Sequence, residues 1–153
     1  MQVKKIYIAN VVVCTPGTPV VRAAQLMRER HVGDIVIVDD PTLGQAMPVG
    51  MLTDRDIAIE VVGRGLDPSH TPVGAVMRQP LVIAYDWEDA STVIDRMRRH
   101  GVRRLPVVAN EGEVVGIVTL EDLLRALVDD AGALLDAMAR ARANEREQRR
   151  TID

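Results

Sequence analysis

A small α/β module made of two tandem strand-helix-strand-strand-helix repeats is predicted for this chain, on two observations. An amphipathic helix stripe recurs 70 positions further on, and a Gly-x-x-Thr-x-x-Asp segment recurs 66 positions further on. Self-similarity at a fixed period decides architecture before any single element does. The length of 153 residues suits one ordinary domain, or two half-sized repeats that must share a core, since a much smaller unit buries too little surface to stand alone.

The first strands fall around Val13-Cys14 and Ile83-Ala84, and the helices follow. Val20, Ala23, Ala24 and Met27 stand at i, i+3, i+4 and i+7, and Ala90, Val93, Ile94 and Met97 repeat that spacing. Each helix leads into an apolar run with β-branched residues, Ile35 to Val38 and Leu105 to Val108, which reads as a buried strand. A turn follows, and then a second pair of matching strands, Val49-Gly50-Met51-Leu52 and Val115-Gly116-Ile117-Val118. The offset drops between the pairs because the first turn, around Pro41, Leu43, Gly44 and Pro48, is longer than Asn110-Glu111-Gly112. Insertions belong in such loops. The connector from Gly63 to Thr71, rich in Gly, Pro, Asp and Ser, separates the copies. The repeats are therefore assigned to residues 8–66 and 72–130, with a helical tail over 131–153. Leu124, Leu127, Val128, Ala131, Leu134, Leu135 and Met138 keep a 3-to-4 spacing that predicts one long or broken C-terminal helix, Gly132 marking the break if there is one. The seam at 124, 127, 131, 134 and 138 has a mean spacing near that of a coiled coil.

Composition narrows the function classes. With no Phe, one Trp and two Tyr, the core is aliphatic and Met-filled, and aromatic platforms for stacked bases are lacking. A net charge of −3 gives no general pull towards nucleic acid or an anionic membrane. The one basic run, Arg140, Arg142, Arg146, Arg149 and Arg150, is interleaved with Glu145 and Glu147 and reads as a solvated helical face. A single cysteine cannot form an internal disulfide, no apolar run is long enough to span a bilayer, and the N-terminus has no signal-peptide pattern. A cytoplasmic setting is the expectation. His31 and His100 end the two first helices, where a favourable interaction with the helix terminus explains them without a metal. Cys14 matches Ala84 and reads as a small buried hydrophobe; Tyr85 and Trp87 read as local packing. No nucleophile elbow, phosphate loop, zinc-protease or Cys-x-x-Cys motif occurs, so no catalytic residue is assigned and the chain is not expected to be an enzyme.

The twice-repeated Gly50-Met51-Leu52-Thr53-Asp54-Arg55-Asp56 and Gly116-Ile117-Val118-Thr119-Leu120-Glu121-Asp122, with Val102-Arg103-Arg104-Leu105-Pro106-Val107-Val108 and Val76-Met77, resembles the signature of CBS domains (cystathionine-β-synthase domains) over about residues 8–130. The resemblance implies a Bateman module, two β-α-β-β-α units packed about a pseudo-two-fold axis, and commonly a homodimeric disc. It also implies a regulator that binds AMP, ADP, ATP or S-adenosylmethionine in clefts built crosswise from both repeats, with no required cofactor. Carried over, cleft one joins Thr53, Arg55 and Asp56 to Ile83, Ala84, Val102, Arg103 and Arg104. Cleft two joins Thr119 and Asp122 to Val13, Cys14, Val32, Gly33 and Asp34. Arginine can hold phosphate through bidentate bonds, whereas Asp34 would repel it, so cleft one suits a phosphorylated ligand and cleft two an unphosphorylated one or none.

A ligand-free reading stands beside this. Thr-x-x-Asp at a strand-to-helix junction is also a capping box, and the arginine pair can be a solvated strand edge. The same junction offers free N–H groups to a phosphate and a carboxylate to ribose hydroxyls. The two functions to be weighed are thus an adenosine-ligand sensor, signalling to a separate and unknown protein partner, and a ligand-free dimerisation or scaffold module.

Overall fold

The computed structural model describes residues 1–39 and 46–150. Pro41, Leu43 and Gly44 of the expected long turn lie outside the described residues, and Pro48 opens a strand.

The first repeat runs β1 (Val13–Cys14), α1 (Val20–Arg30), β2 (Asp34–Val38), β3 (Pro48–Thr53) and a helical turn α2 (Asp54–Asp56) that continues as a π-helical segment, Ile57–Val62. The second repeats the order with β4 (Ala84–Tyr85), α3 (Ala90–His100), β5 (Arg104–Val108), β6 (Val114–Thr119) and α4 (Leu120–Arg150). Each copy forms its own three-stranded sheet with the middle-numbered strand central. In both, the first strand pairs parallel and the third antiparallel, in matching registers: Asp34 faces Thr53 as Arg104 faces Thr119.

The central strands are buried on both faces because the pleat sends alternate side chains to two different cores. Ile35 and Ile37 enter the core of repeat 1 beneath Val20, Ala23 and Met27, while Val36 and Val38 meet Met51 and Ile117 in a seam between the two sheets. Leu105 and Val107 likewise join Ala90, Val93 and Met97 in repeat 2. Helices α1 and α3 both close with a left-handed residue. It is Gly101 in the second, where glycine carries no steric penalty, and His31 in the first.

The segments ahead of the repeats cross over. Residues 3–8 dock on repeat 2: Val3 is buried in its core, and Ile8 exchanges backbone hydrogen bonds with Ile117. Residues 73–78 dock on repeat 1, where Val73 and Val76 enter the core and the Arg78 N–H donates to Met51 at 2.8 Å. This crossing accounts for the glycine of each repeated motif. A Cβ on Gly50 would lie 2.5 Å from the Met77 sulfur, and one on Gly116 would collide with the Tyr7 ring and come within 2.9 Å of the Ile8 carbonyl.

Of the two alternatives for the C-terminal helix, long or broken at Gly132, the long one is found: α4 is continuous over 31 residues. The Gly132 Cα faces open space, so nothing forces the chain out of the helix, and one glycine costs only about 1 kcal/mol. No helix of the described residues is long and apolar enough to cross a membrane. Tyr85 and Trp87 stack on one another with ring centroids 5.4 Å apart, and Cys14 is buried, which pushes its thiol pKa up.

Candidate functional site

A cleft of about 960 Å³ opens between the repeats. One wall is the end of β3 and the start of α2, with Thr53, Asp54, Arg55 and Asp56; the other is the turn into β5, with Gly101, Val102, Arg103 and Arg104. The crossing segment from Ala75 to Val82 forms the floor. Six of the residues assigned to cleft one from sequence thus come together: Thr53, Arg55, Asp56, Val102, Arg103 and Arg104. Ile83 and Ala84 do not line it. Ala84 is fully buried in the core of repeat 2, and Ile83 turns to a separate hollow with Leu81, Tyr85 and Val108. The chain has already passed the cleft by then, because Arg78 to Val82 lie along it.

Thr53 and Asp56 form a reciprocal capping box. The Asp56 N–H donates to Thr53 Oγ1 at 3.1 Å, and the Thr53 N–H donates to Asp56 Oδ2 at 2.9 Å. The other carboxylate oxygen of the buried Asp56 accepts from Arg78 Nε at 2.8 Å. Arg78 had no sequence signal of its own: it follows Val76-Met77, but its partner lies 22 residues away and is reached only through the segment crossing. Arg103 pairs with Glu121 at 2.5 Å, which holds the exposed Glu121 carboxyl below the usual range. Arg104 reaches across the module to Asp34, its own counterpart in the first repeat.

The residues assigned to cleft two sit in a different setting. Thr119 Oγ1 donates to Asp122 Oδ2 at 2.6 Å and accepts from the Asp122 N–H at 3.1 Å. The residue matching Arg78 is Ile8, which bridges to Ile117 as Arg78 bridges to Met51. Gly33 and Asp34 replace Arg103 and Arg104. Val13 is partly exposed at the sheet edge, Cys14 lies in the core, and Val32 packs against that core. Among the described residues no three of His, Cys, Asp or Glu gather as a metal site.

With this geometry in view, comparison with known proteins is decisive: the CBS domain model matches residues 3–63 and 73–129. The chain belongs to the CBS-domain family. It is 40% identical to the CBS domain-containing protein YhcV of Bacillus subtilis over 124 residues, 79% of this chain and 81% of that one. It is 33% identical to the uncharacterized protein MK0525 of Methanopyrus kandleri over 116 residues, 76% of this chain, and spans only 57% of that relative. Among solved structures, the CBS domain pair of protein MJ0100, in complex with 5′-methylthioadenosine and S-adenosyl-L-methionine, superposes with a TM-score of 0.71 at 25% identity, over 83% of this chain and 99% of that one. The matched segments begin at Val3 and Val73, so the crossing segments belong to the CBS pair as matched.

Proposed function

We propose that this CBS pair is a regulatory sensor that binds a phosphorylated adenosine ligand, AMP, ADP or ATP, in cleft one. The observation that carries the reading is the convergence of Arg78, Arg103 and Arg104 on one open cleft that also contains the start of α2. Its volume suits a nucleotide, and guanidinium groups are the chemistry that recognises phosphate, although the N–H groups of Asp54, Arg55 and Asp56 are already taken by Gly33, Asp54 and Thr53 oxygens. The MJ0100 pair, with its two adenosyl compounds, supports adenosine as the common element. In this reading Asp56 takes the ribose hydroxyls and the arginines take the phosphates. Arg78, Arg103 and Arg104 each exchange a carboxylate of the protein for a phosphate of the ligand, so binding costs three internal ion pairs. Cleft two, with Ile8, Gly33 and Asp34 at the matching places, takes an unphosphorylated adenosyl compound such as S-adenosylmethionine or remains empty.

One observation favours the second reading, a ligand-free scaffold. Each of the three arginines already has an acidic partner within the chain, and the Thr53–Asp56 box is complete without a guest. The two readings separate in a thermal-shift screen with AMP, ADP, ATP, NAD and S-adenosylmethionine, followed by calorimetry. A ligand bound only by the folded state raises its apparent stability by about 2.7 kcal/mol at a hundred times Kd. The sensor reading expects a clear rise with at least one phosphorylated adenosine; no response to any of the five leaves the scaffold.

A further inference from the structure

Arg104 forms its ion pair with its own counterpart. It opens β5 as Asp34 opens β2, and each faces the capping threonine of its own sheet, Thr119 and Thr53. The Arg104 guanidinium meets the Asp34 carboxylate across the two repeats. Where two units are related by a two-fold axis, a residue that touches its own counterpart lies at that axis. The bridge is therefore midway between the two clefts. Arg104 lines cleft one and Asp34 does not. The symmetry that gives Arg104 to cleft one gives Asp34 to cleft two.

The two members differ in how readily they part. The Arg104 side chain is 34% exposed and can turn to a phosphate in cleft one; the Asp34 side chain is only 16% exposed. Three acids lose an arginine when a phosphate takes Arg78, Arg103 and Arg104. Asp56 turns to the ribose, and Glu121, with 55% of its side chain exposed, turns to water. Asp34 has neither recourse, and a largely buried charge stripped of its partner is strongly destabilising until another cation replaces it. The matching places of repeat 2 supply none. Thr119 and Asp122 bond to one another, and Ile8 stands where cleft one has Arg78.

We propose that this bridge is a latch coupling the two clefts: a phosphorylated ligand in cleft one, by taking Arg104, creates in cleft two a site for an adenosyl compound that carries a positive charge, a sulfonium or an ammonium. The proposal rests on the sensor reading of cleft one. With the latch closed, Asp34 is neutralised and offers a cation nothing; with it open, the carboxylate requires one. Each ligand then favours the other by the same factor, because coupling between two sites is reciprocal. A neutral adenosyl compound gains nothing from a bare carboxylate and stays uncoupled. The module thus responds to two compounds of opposite charge present together.

Calorimetry of the full chain reads the coupling. S-adenosylmethionine should bind at least about fivefold tighter in saturating AMP than without it, and neutral 5′-methylthioadenosine should not. Asp34→Asn should abolish that gain. Arg104→Ala holds the latch open, so it should bind S-adenosylmethionine about fivefold tighter than the parent with no nucleotide present. Circular dichroism checks that both variants fold, and the measurements on the parent need no variant. An affinity for S-adenosylmethionine that AMP leaves unchanged or lowers, an equal gain for 5′-methylthioadenosine, a gain that survives Asp34→Asn, or an Arg104→Ala protein that binds no better than the parent would each overturn the latch. Failure to bind AMP at all defeats the sensor reading and the latch with it, whereas AMP binding without coupling defeats the latch alone.

Discussion

Two junctions of the same shape carry opposite chemistry. At the start of α2, Thr53 and Asp56 share a cleft with Arg78, Arg103 and Arg104; for Thr119 and Asp122 at the start of α4, the residues at the matching positions are Ile8, Gly33 and Asp34. Backbone register, capping threonine and motif glycine are conserved between the copies of this one chain, while the residues aimed into the clefts are not. What folding requires of each unit is the same in both copies, while the positions around the clefts differ. The Thr-x-x-Asp motif on its own therefore speaks for the fold, and the proposed nucleotide reading rests on the arginines opposite it.

The comparison breaks most visibly at the two aspartates. Asp56→Ala removes a cap and leaves Arg78 without its acid, so urea unfolding should show a loss of about 2 kcal/mol; Asp122→Ala, with no arginine to orphan, should lose about 1 kcal/mol. By calorimetry Asp56→Ala should weaken every adenosine ligand of cleft one by roughly ten- to a hundredfold, since hydrogen bonds to a charged group are worth about 1.5–3 kcal/mol, and Asp122→Ala should not. Equal losses of stability in the two variants would mean that the Arg78 contact contributes nothing.

Arg104→Ala sharpens the contrast between phosphorylated and unphosphorylated ligands. It should cost AMP and ATP about tenfold and leave adenosine nearly unchanged, and it also frees Asp34 on the other side of the module. Asp34→Asn should act in the opposite sense, tightening AMP, because Arg104 then has no competitor. Titration calorimetry of the pair checks both signs.

A smaller difference lies beneath the helices. In repeat 2 the buried Glu88 accepts from the Tyr85 N–H and from both terminal nitrogens of Arg96; its counterpart in repeat 1 is Thr18, which accepts from the Thr15 N–H and does not titrate in this range. The hydrogen bonds from Arg96 hold the Glu88 carboxyl below its ordinary value. A depressed folded-state pKa stabilises fully above the unfolded value of about 4.3 and is lost as pH falls through the folded one. Glu88→Gln should thus lower the urea midpoint near neutral pH and shrink its fall between neutral pH and about pH 3. An unchanged acid limb would place the acid sensitivity elsewhere. The smallest effect is expected from Ile8→Arg, which gives Asp122 the guanidinium that Asp56 already has. A partly exposed pair of this kind is worth less than about 1 kcal/mol, but the variant should bring measurable phosphate binding to cleft two.

The repeat was legible because its evidence is periodic: stripes such as Val20 to Met27 and Ala90 to Met97 state a helix and its buried face without tertiary information. The capping role of Thr53 and Asp56 was legible too, being local. What escaped depends on contacts between distant segments. Arg78 acquires its role only when the crossing segment lies against β3, and Arg104 finds Asp34 only once two sheets are packed back to back. Ile83 and Ala84 were placed in the cleft by motif position, but the segment enters a few residues earlier, at Arg78 to Val82, and its register along the floor has no sequence marker. Propensity at Gly132 left a long and a broken helix both open, and the helix runs on because nothing around that glycine gives it a steric reason to stop.

The length of α4 has a mechanical meaning. The rod whose first turn is capped by Thr119 is the one whose exposed stripe lies beyond the module, and it contains no hinge between them. At 1.5 Å per residue it extends roughly 45 Å, so a tilt of about 5° at its first turn would sweep the far end through about 4 Å. The short, π-wound α2 of repeat 1 has no such reach. Whatever alters the first turn of α4 is therefore amplified at a distance, by a lever with its fulcrum in repeat 2.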